Sequence, residues 1–193
     1  MKLILASASP RRAELLRRLN ADFIIKASDA DETWDDSVDP RQQVMDLARR
    51  KAGIVAVGHI GDGAIIIGAD TVVVAPSGEC LGKPVDPEEA KRMLGALSGA
   101  WHTVYTGVAL VCAGSGREMQ GVEGTQVKFR VISEDLAKRY LATGEHADKA
   151  GAYAVQGYGA LLVEGIRGCY FNVMGLPLAR LADMLSGCGY TFF

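Results

Sequence analysis

The sequence predicts an α/β fold in which a mixed, twisted sheet is flanked by helices and forms two lobes around a central cleft. Short apolar runs of strand character alternate with amphipathic segments that begin at a capping residue followed by proline. The run Ile65–Val74 is rich in β-branched residues on both sides of a short interruption, which is typical of a strand buried on both faces. Two runs, Trp101–Val111 and Val122–Ile132, are joined by a glycine-rich connector and pair most simply as an antiparallel hairpin.

Composition limits the class of protein. The chain has 193 residues, 49% of them hydrophobic, which is ample for the core of one large or two small domains. A net charge of −2 gives no general basic surface, so we expect no nucleic-acid partner. We find no signal peptide or bilayer span, and expect a cytoplasmic protein with no membrane partner. The cysteines lack CxxC or metal-ligand spacing and are interpreted as reduced packing residues: Cys80, Cys112, Cys169 and Cys188.

The first elements favour an anion site. Lys2–Ala6 is a short strand, and Ser9 takes the N-cap position of a helix whose first residue is proline. Arg11 and Arg12 lie in the first turn of this helix, where positive charge opposes the helix dipole unless an anion is bound. A capped helix with solvated arginines is the alternative. Phosphate is the anion we expect, because guanidinium groups bind it bidentately.

An acidic loop and a second helix follow. Residues 29–36 include Glu32 and show little periodicity; most such runs are solvated surface, and a minority ligate hard cations. Asp39 caps the second helix. Lys51 comes four residues after Leu47, in the centre of its apolar stripe. Such a lysine either extends to the surface or points into a cleft, where it would contact phosphate.

Asp70 lies in the middle of the central run Ile65–Val74. An ionised carboxylate is costly to bury without a partner, so buried charges are paired, hydrogen-bonded or bound to metal. Gly68 removes a side chain just before it, which often marks a close approach of ligand or backbone. Asp70 could instead end one strand and cap a turn. We favour a site, with Asp70 and Thr71 held on a rigid strand.

The rest of the chain alternates in the same way. Leu81–Pro84 brings Lys83 close in sequence to Asp70. Gly144–Gly157 is too rich in glycine for a packed helix and too polar for a core strand, and long ordered loops are usually functional. The amide of Gln156 in this loop could read a base edge, because it donates and accepts at once. The other elements are helices capped by Asp86 and Ser133, a strand at Ala160–Ile166 and a last helix that begins at Pro177.

In these segments the sequence resembles the Maf family of nucleoside triphosphate pyrophosphatases. The resemblance implies a single domain of that family over residues 1–193, with nucleotide bound in the central cleft. It implies hydrolysis of a nucleoside triphosphate to the monophosphate and pyrophosphate with a divalent cation, Mg²⁺ or Mn²⁺. It also implies cleansing of nucleotide pools and, in some members, a link to septum formation and division arrest. The matching segments are 7–12 (SASPRR), 68–73 (GADTVV), 82–84 (GKP), 148–153 (DKAGAY), 156–157 (QG) and 172–177 (NVMGLP).

The resemblance also implies roles for single residues. Asp70 matches the family's proton acceptor, and with Glu32 it is assigned to the metal. The loop that contains Gln156 is similar to that of the subfamily acting on dTTP and UTP, whereas the sister group acting on 7-methyl-GTP differs there. His146 stands where many relatives carry tryptophan. Substrate binding is assigned to Ser9, Arg11, Arg12, Lys51, Thr71, Lys83 and Gln156, with Arg12, Thr71 and Gln156 at positions of substrate choice.

Our hypothesis is that Asp70 deprotonates the water that attacks the α-phosphorus, while basic side chains hold the triphosphate. Two other functions stay open: a non-catalytic nucleotide sensor that regulates septum formation, and the sister-type 7-methyl-GTP enzyme. The intact Asp70 argues against a sensor, since a pure binder gains nothing from a carboxylate beside phosphates. A homodimer is left open.

Overall fold

The computed structural model describes residues 1–193. The strands are β1 Leu3–Leu5, β2 Phe23–Ile25, β3 Ile65–Val74, β4 Cys80–Leu81, β5 Trp101–Cys112, β6 Arg117–Phe129 and β7 Val163–Arg167. The helices are α1 Pro10–Arg18, α2 Pro40–Val57, α3 Pro87–Leu97, α4 Glu134–Leu141, α5 Tyr170–Val173 and α6 Leu178–Gly187, with short 3-10 helices at Ala150–Ala152 and Gly157–Leu162. No helix has the length and apolar character needed to span a bilayer.

The strands form one mixed sheet of seven strands in the order β2-β1-β3-β5-β6-β7, with β4 paired to β3. Strand β1 is parallel to both β2 and β3, with Leu3 opposite Phe23 and Ile65. The pairs β3–β4 and β6–β7 are antiparallel. The predicted α/β fold with a mixed sheet flanked by helices is confirmed.

The chain divides into two compact units. Unit 1 comprises Met1–Asp70, Thr106–Glu123 and Met174–Phe193, and unit 2 comprises Thr71–Tyr105 and Gly124–Val173. The chain passes from one unit to the other within β3, β5 and β6. The predicted single domain over residues 1–193 and the predicted central cleft stay predictions.

The core of unit 1 is built for close approach of α2 to the sheet. It contains four buried alanines, Ala48, Ala52, Ala56 and Ala64, beside Ile4 and Ile66. A Cβ added to Gly68 of β3 would lie 2.1 Å from the carbonyl oxygen of Ala48, and one added to Gly107 of β5 would lie 2.3 Å from that of Val44. Because no side chain fits between these backbones, both glycines are required for α2 to pack where it does.

Unit 2 has a larger core with aromatic residues. Phe129, Tyr140 and Tyr153 are buried there together with the apolar face of α3, which consists of Ala90, Met93, Leu94 and Leu97. The rings of Phe129 and Tyr153 meet edge to face at 4.6 Å between centroids, and His102 packs against both. Such geometry is the favourable one for aromatic pairs.

The predicted caps hold for three helices. The carboxylate of Asp39 accepts a hydrogen bond from Arg41 N at 2.8 Å, and that of Asp86 accepts one from Glu89 N at 2.7 Å. Ser133 Oγ accepts from Leu136 N. These side chains satisfy backbone N–H groups that have no partner within the helix.

Three predictions of local structure are wrong. Residues 160–162 of the predicted strand Ala160–Ile166 belong to the 3-10 helix Gly157–Leu162, and β7 begins at Val163. Gly159 lies so close to Ala154 that an added Cβ would be 2.1 Å from the Ala154 carbonyl oxygen, so this 3-10 helix needs a glycine here. Pro177 is the N-cap of α6 and not its first residue. Strand β6 covers Arg117–Phe129, so it begins five residues before Val122 and ends three residues before the predicted Ile132. Strand β2 was not predicted.

Candidate active site

Asp70 lies within a continuous strand. β3 extends through Val74, so Asp70 neither ends a strand nor caps a turn. Its side chain is only 15% exposed, and its Oδ1 atom accepts a hydrogen bond from Lys51 Nζ at 2.6 Å. This mostly buried carboxylate is therefore compensated by an ion pair, as its position in an apolar run requires.

Lys51 of α2 takes the inward of its two predicted orientations. Its side chain is 8% exposed, and Nζ lies 2.6 Å from Asp70 Oδ1 and 2.7 Å from Glu32 Oε1. One ammonium group thus bridges a carboxylate of the acidic loop and a carboxylate of the central strand. Since a buried ion pair loses hydration on both sides, short and well-directed contacts such as these are needed for it to be tolerated.

Arg12 is buried on the inner face of α1. Its Nε donates to the carbonyl oxygen of Gly175 at 2.8 Å, and its Nη1 donates to Ala69 O at 2.9 Å and to Ser7 Oγ at 3.1 Å. Burial lowers the pKa of the Arg12 guanidinium, and the nearby charges of Asp70 and Glu32 act in the opposite direction. The guanidinium is thereby fixed beside the residue that precedes Asp70. We call Arg12, Glu32, Lys51 and Asp70 the Asp70 cluster.

The turn before α1 uses a different serine from the one predicted. Ser9 has the N-cap position, but its side chain makes no capping hydrogen bond. Its backbone N–H donates to Ser7 Oγ at 3.2 Å, and that hydroxyl also receives the bond from Arg12. Ser7, which was not assigned to substrate, therefore joins the turn to the Arg12 side chain. Arg11, the second residue of α1, is half-buried.

The remaining predicted site residues belong to unit 2. Thr71 follows Asp70 along β3 and is half-buried, as is Gln156. Lys83 is exposed in the loop after β4, where the carbonyl oxygen of Gly82 accepts a hydrogen bond from Gly151 N at 3.0 Å. That bond joins the lysine-bearing loop to the 3-10 helix at Ala150–Ala152.

Glu145 organises the backbone that follows Gln156, and it was not predicted. Its Oε2 accepts from Tyr158 N at 2.9 Å and its Oε1 accepts from Gly159 N at 3.2 Å. Gly157 has a φ of 62° and leaves no room for a Cβ, which would lie 2.6 Å from Glu145 Oε2. The carboxylate therefore caps the 3-10 helix that starts directly after Gln156.

The two acidic residues of the Asp70 cluster could hold a metal ion whose remaining ligands come from the substrate. No group of three or more His, Cys, Asp or Glu side chains in residues 1–193 could hold an ion by itself. Asp70 and Glu32 offer carboxylate oxygens that converge on one cation, the ammonium of Lys51. Mg²⁺ is often held by one or two carboxylates and completed by substrate phosphates and water, so this donor set fits it.

Comparison with known proteins identifies the family. The model of the Maf-like protein family matches residues 2–188. The chain belongs to the Maf family. It is 52% identical over 189 residues to the dTTP/UTP pyrophosphatase of Pelotomaculum thermopropionicum, covering 98% of this chain and 97% of that one. It is also 52% identical over 185 residues to the dTTP/UTP pyrophosphatase of Moorella thermoacetica, covering 96% and 94% of the two chains.

Among solved structures, the chain is similar to a nucleoside-triphosphatase (dITP/XTP pyrophosphatase) from Mycobacterium abscessus. The two are 16% identical, with a TM-score of 0.45 and coverage of 97% of each chain. The Asp70 cluster comprises four of the residues that the sequence predicted for the site, and all four belong to unit 1.

Proposed function

We propose that this Maf-family chain is a pyrophosphatase that hydrolyses dTTP and UTP to the monophosphate and pyrophosphate. The observation that carries the proposal is the Asp70 carboxylate, fixed on a buried strand by Lys51 and adjoining the backbone that Arg12 holds. A base surrounded by cations suits attack of water on a polyanion. The curated relatives cited above are named for this activity.

In the proposed reaction Asp70 takes a proton from the attacking water. The water oxygen forms a bond to the α-phosphorus, and the bond from that phosphorus to the bridging oxygen breaks, releasing pyrophosphate. Lys51, Arg11 and Lys83 neutralise the triphosphate, and the leaving pyrophosphate is the group on which negative charge increases. Because Asp70 and Lys51 lie on packed elements, they need little reorganisation at the moment of reaction.

We propose that Glu32 and Asp70 hold the divalent cation, Mg²⁺ or Mn²⁺, together with oxygens of the substrate. When bound, the ion supplies charge neutralisation at the phosphates. In that state Lys51 must share its two carboxylate partners, Glu32 and Asp70, with the ion.

Substrate choice is proposed to depend on Gln156, Thr71 and Arg12. The Gln156 amide can donate and accept at a pyrimidine edge, and Glu145 fixes the backbone beside it. Besides this proposed role, Arg12 holds the backbone of the site through its hydrogen bonds to the carbonyl oxygens of Gly175 and Ala69. A role in cleansing nucleotide pools, a link to division arrest, a homodimer and a cytoplasmic location stay predictions.

The test is release of pyrophosphate from dTTP, UTP, CTP and 7-methyl-GTP with Mg²⁺ or Mn²⁺, with and without EDTA. We expect metal-dependent pyrophosphate release that is fastest for dTTP and UTP. Asp70→Asn should lower turnover at least about 100-fold, because the proton acceptor and one of the two proposed metal ligands are lost. Nucleotide binding should stay largely intact, because the basic side chains that hold the triphosphate remain. The matched control, Asp183→Asn on the exposed face of α6, should have normal activity.

Four results would contradict the proposal. Release of single phosphate would change the reaction, and faster turnover of 7-methyl-GTP would place the enzyme in the sister group. Binding of nucleotide with no turnover would favour a sensor. Near-normal activity of Asp70→Asn would remove Asp70 from its role as proton acceptor.

A further inference from the structure

Two of the four cysteines face each other within unit 1. All four are free thiols. Cys112 is the last residue of β5, and Cys188 is the C-cap of α6. Their Sγ atoms are 2.7 Å apart, between the length of a covalent S–S bond, about 2.05 Å, and the separation of sulfur atoms in ordinary contact. The two side chains point directly at each other, although 75 residues separate them along the chain.

Independent contacts hold both cysteines in place. Arg117, the first residue of β6, donates from Nη1 to the carbonyl oxygen of Gly187 at 2.6 Å. The thioether of Met119 lies 3.7 Å from Cys188 Sγ, and a Cβ added to Gly187 would be 3.1 Å from the Met119 methyl group. The end of α6 is therefore anchored to the β5–β6 hairpin by groups other than the thiols. To form a bond, the two sulfurs must approach from 2.7 Å to about 2.05 Å.

The thiols can be reached by a small oxidant. Both cysteines are partly exposed. They line a surface cavity of about 310 Å³, to which Met1, Ser115 and Arg117 also contribute. Neither belongs to the Asp70 cluster or to any position assigned to substrate.

We propose that Cys112 and Cys188 are an oxidisable pair that forms a disulfide linking the end of β5 to the end of α6. The linked segment, residues 112–188, includes Gly175, whose carbonyl oxygen holds Arg12. The bond would fasten the last helix of unit 1 to its sheet and stabilise the folded state. The proposal is independent of the pyrophosphatase activity.

With a small disulfide such as oxidised glutathione as the oxidant, the chemistry balances. The thiolate of one cysteine attacks a glutathione sulfur, an S–S bond forms to the protein, and one glutathione thiolate leaves. The second cysteine then attacks the protein sulfur of that mixed disulfide and releases the second glutathione thiolate. Two protein thiols are oxidised and one glutathione disulfide is reduced to two thiols.

The reaction should be faster at higher pH. Burial first, and the neighbouring Cys188 second, raise the pKa of the Cys112 thiol to about 11. Cys112 is thus almost fully protonated at neutral pH, and a higher pH increases its thiolate fraction. Because the thiolate is the nucleophile, we expect the rate of bond formation to increase by several-fold from pH 7 to pH 8.5.

The test uses the full chain incubated with oxidised glutathione. We expect the number of titratable thiols to fall by two and a crosslinked pair of peptides containing Cys112 and Cys188 to appear. The oxidised protein should melt roughly 5–10 °C above the reduced protein. Cys112→Ser and Cys188→Ser should each lose the crosslink and this shift, whereas Cys169→Ser, a matched control in unit 2, should keep both.

Other outcomes would overturn the inference. These are four titratable thiols after oxidation, stable glutathione on a single cysteine, a crosslink to Cys80 or Cys169, or a crosslink that leaves the melting temperature unchanged. Melting of each reduced serine variant within about 2 °C of the parent protein would establish that the variants fold. Pyrophosphate release by the reduced variants should be unchanged.

Discussion

Lys51 Nζ lies 2.6 Å from Asp70 Oδ1, so a lysine in the apolar stripe of α2 neutralises a carboxylate in the middle of β3. The same ammonium lies 2.7 Å from Glu32 of the acidic loop. Three segments far apart in sequence are thereby joined by one charged group. Removal of this ammonium group should therefore change both the free energy of unfolding and the turnover of the enzyme.

Lys51→Met should destabilise unit 1 and lower turnover. The substitution leaves Asp70, a mostly buried carboxylate, without its ammonium partner. We expect the free energy of unfolding to fall by about 1–3 kcal/mol. The loss should be smaller than for a fully buried pair, because the side chain of Glu32 is 55% exposed. Urea unfolding of Lys51→Met, Asp70→Asn and the double variant forms a cycle that should show positive coupling. Arg49→Met, at an exposed position on the same helix, should change stability by less than about 0.5 kcal/mol. If Lys51→Met and Arg49→Met lost equal free energy of unfolding, Lys51 would not be the stabilising partner of Asp70.

Arg12→Lys should be poorly tolerated despite conservation of charge. The ammonium group of lysine cannot reproduce the planar guanidinium, which donates to Gly175 O, Ala69 O and Ser7 Oγ at once. We expect a loss of about 2–4 kcal/mol in the free energy of unfolding, because buried acceptors lose their donors. Arg18→Lys, exposed at the end of α1, serves as the control in the same denaturation measurement and should be near neutral. If Arg12→Lys lowered the free energy of unfolding by less than about 0.5 kcal/mol, the three hydrogen bonds of the guanidinium group would not be needed for stability.

Gly68→Ala should disturb the strand that bears Asp70. The added methyl would lie 2.1 Å from Ala48 O and 2.9 Å from Ala52 N, and backbone atoms cannot move aside cheaply. We expect a loss of at least about 2 kcal/mol and a fall in turnover, since Asp70 and Lys51 belong to the two elements pushed apart. Gly53→Ala in α2 meets nothing within 4 Å and should stabilise the protein by about 0.5–1 kcal/mol. Thermal unfolding separates the two; stabilisation by both alanines would contradict the close packing.

Stability should decrease below pH 6.5 because of His102. Burial lowers the pKa of its imidazole to about 4, while the ring donates to or accepts from the hydroxyl of Tyr153 at 2.8 Å. In the unfolded chain the ring takes up a proton near pH 6.5. Between pH 6.5 and pH 4 the unfolded state therefore binds more protons than the folded state, and the free energy of unfolding decreases as the pH is lowered. We expect about 2 kcal/mol of this loss between pH 7 and pH 5. His102→Gln should flatten the dependence measured by urea unfolding. An unchanged slope would show that other groups dominate.

Local features of the fold were predictable because they depend on neighbouring residues. The helix starts at Asp39, Asp86 and Ser133 were found from a capping side chain followed by a helical pattern. Strand β3 was found from its β-branched run. The boundary at Ala160–Val163 was wrong because Glu145, earlier in the chain, caps the 3-10 helix with a hydrogen bond that no local pattern encodes.

The sequence by itself determined that Asp70 lies in an apolar run of strand character, and it favoured a site with basic residues around this carboxylate. Burial of Asp70 in an apolar run is a property of the residues around it. Tertiary structure decided which partners meet. Lys51 could have reached solvent, but β3 and the acidic loop place two carboxylates within reach of its ammonium group. Arg12 binds carbonyl oxygens 57 and 163 residues away, and every residue type offers the same carbonyl, so only the folded backbone selects them.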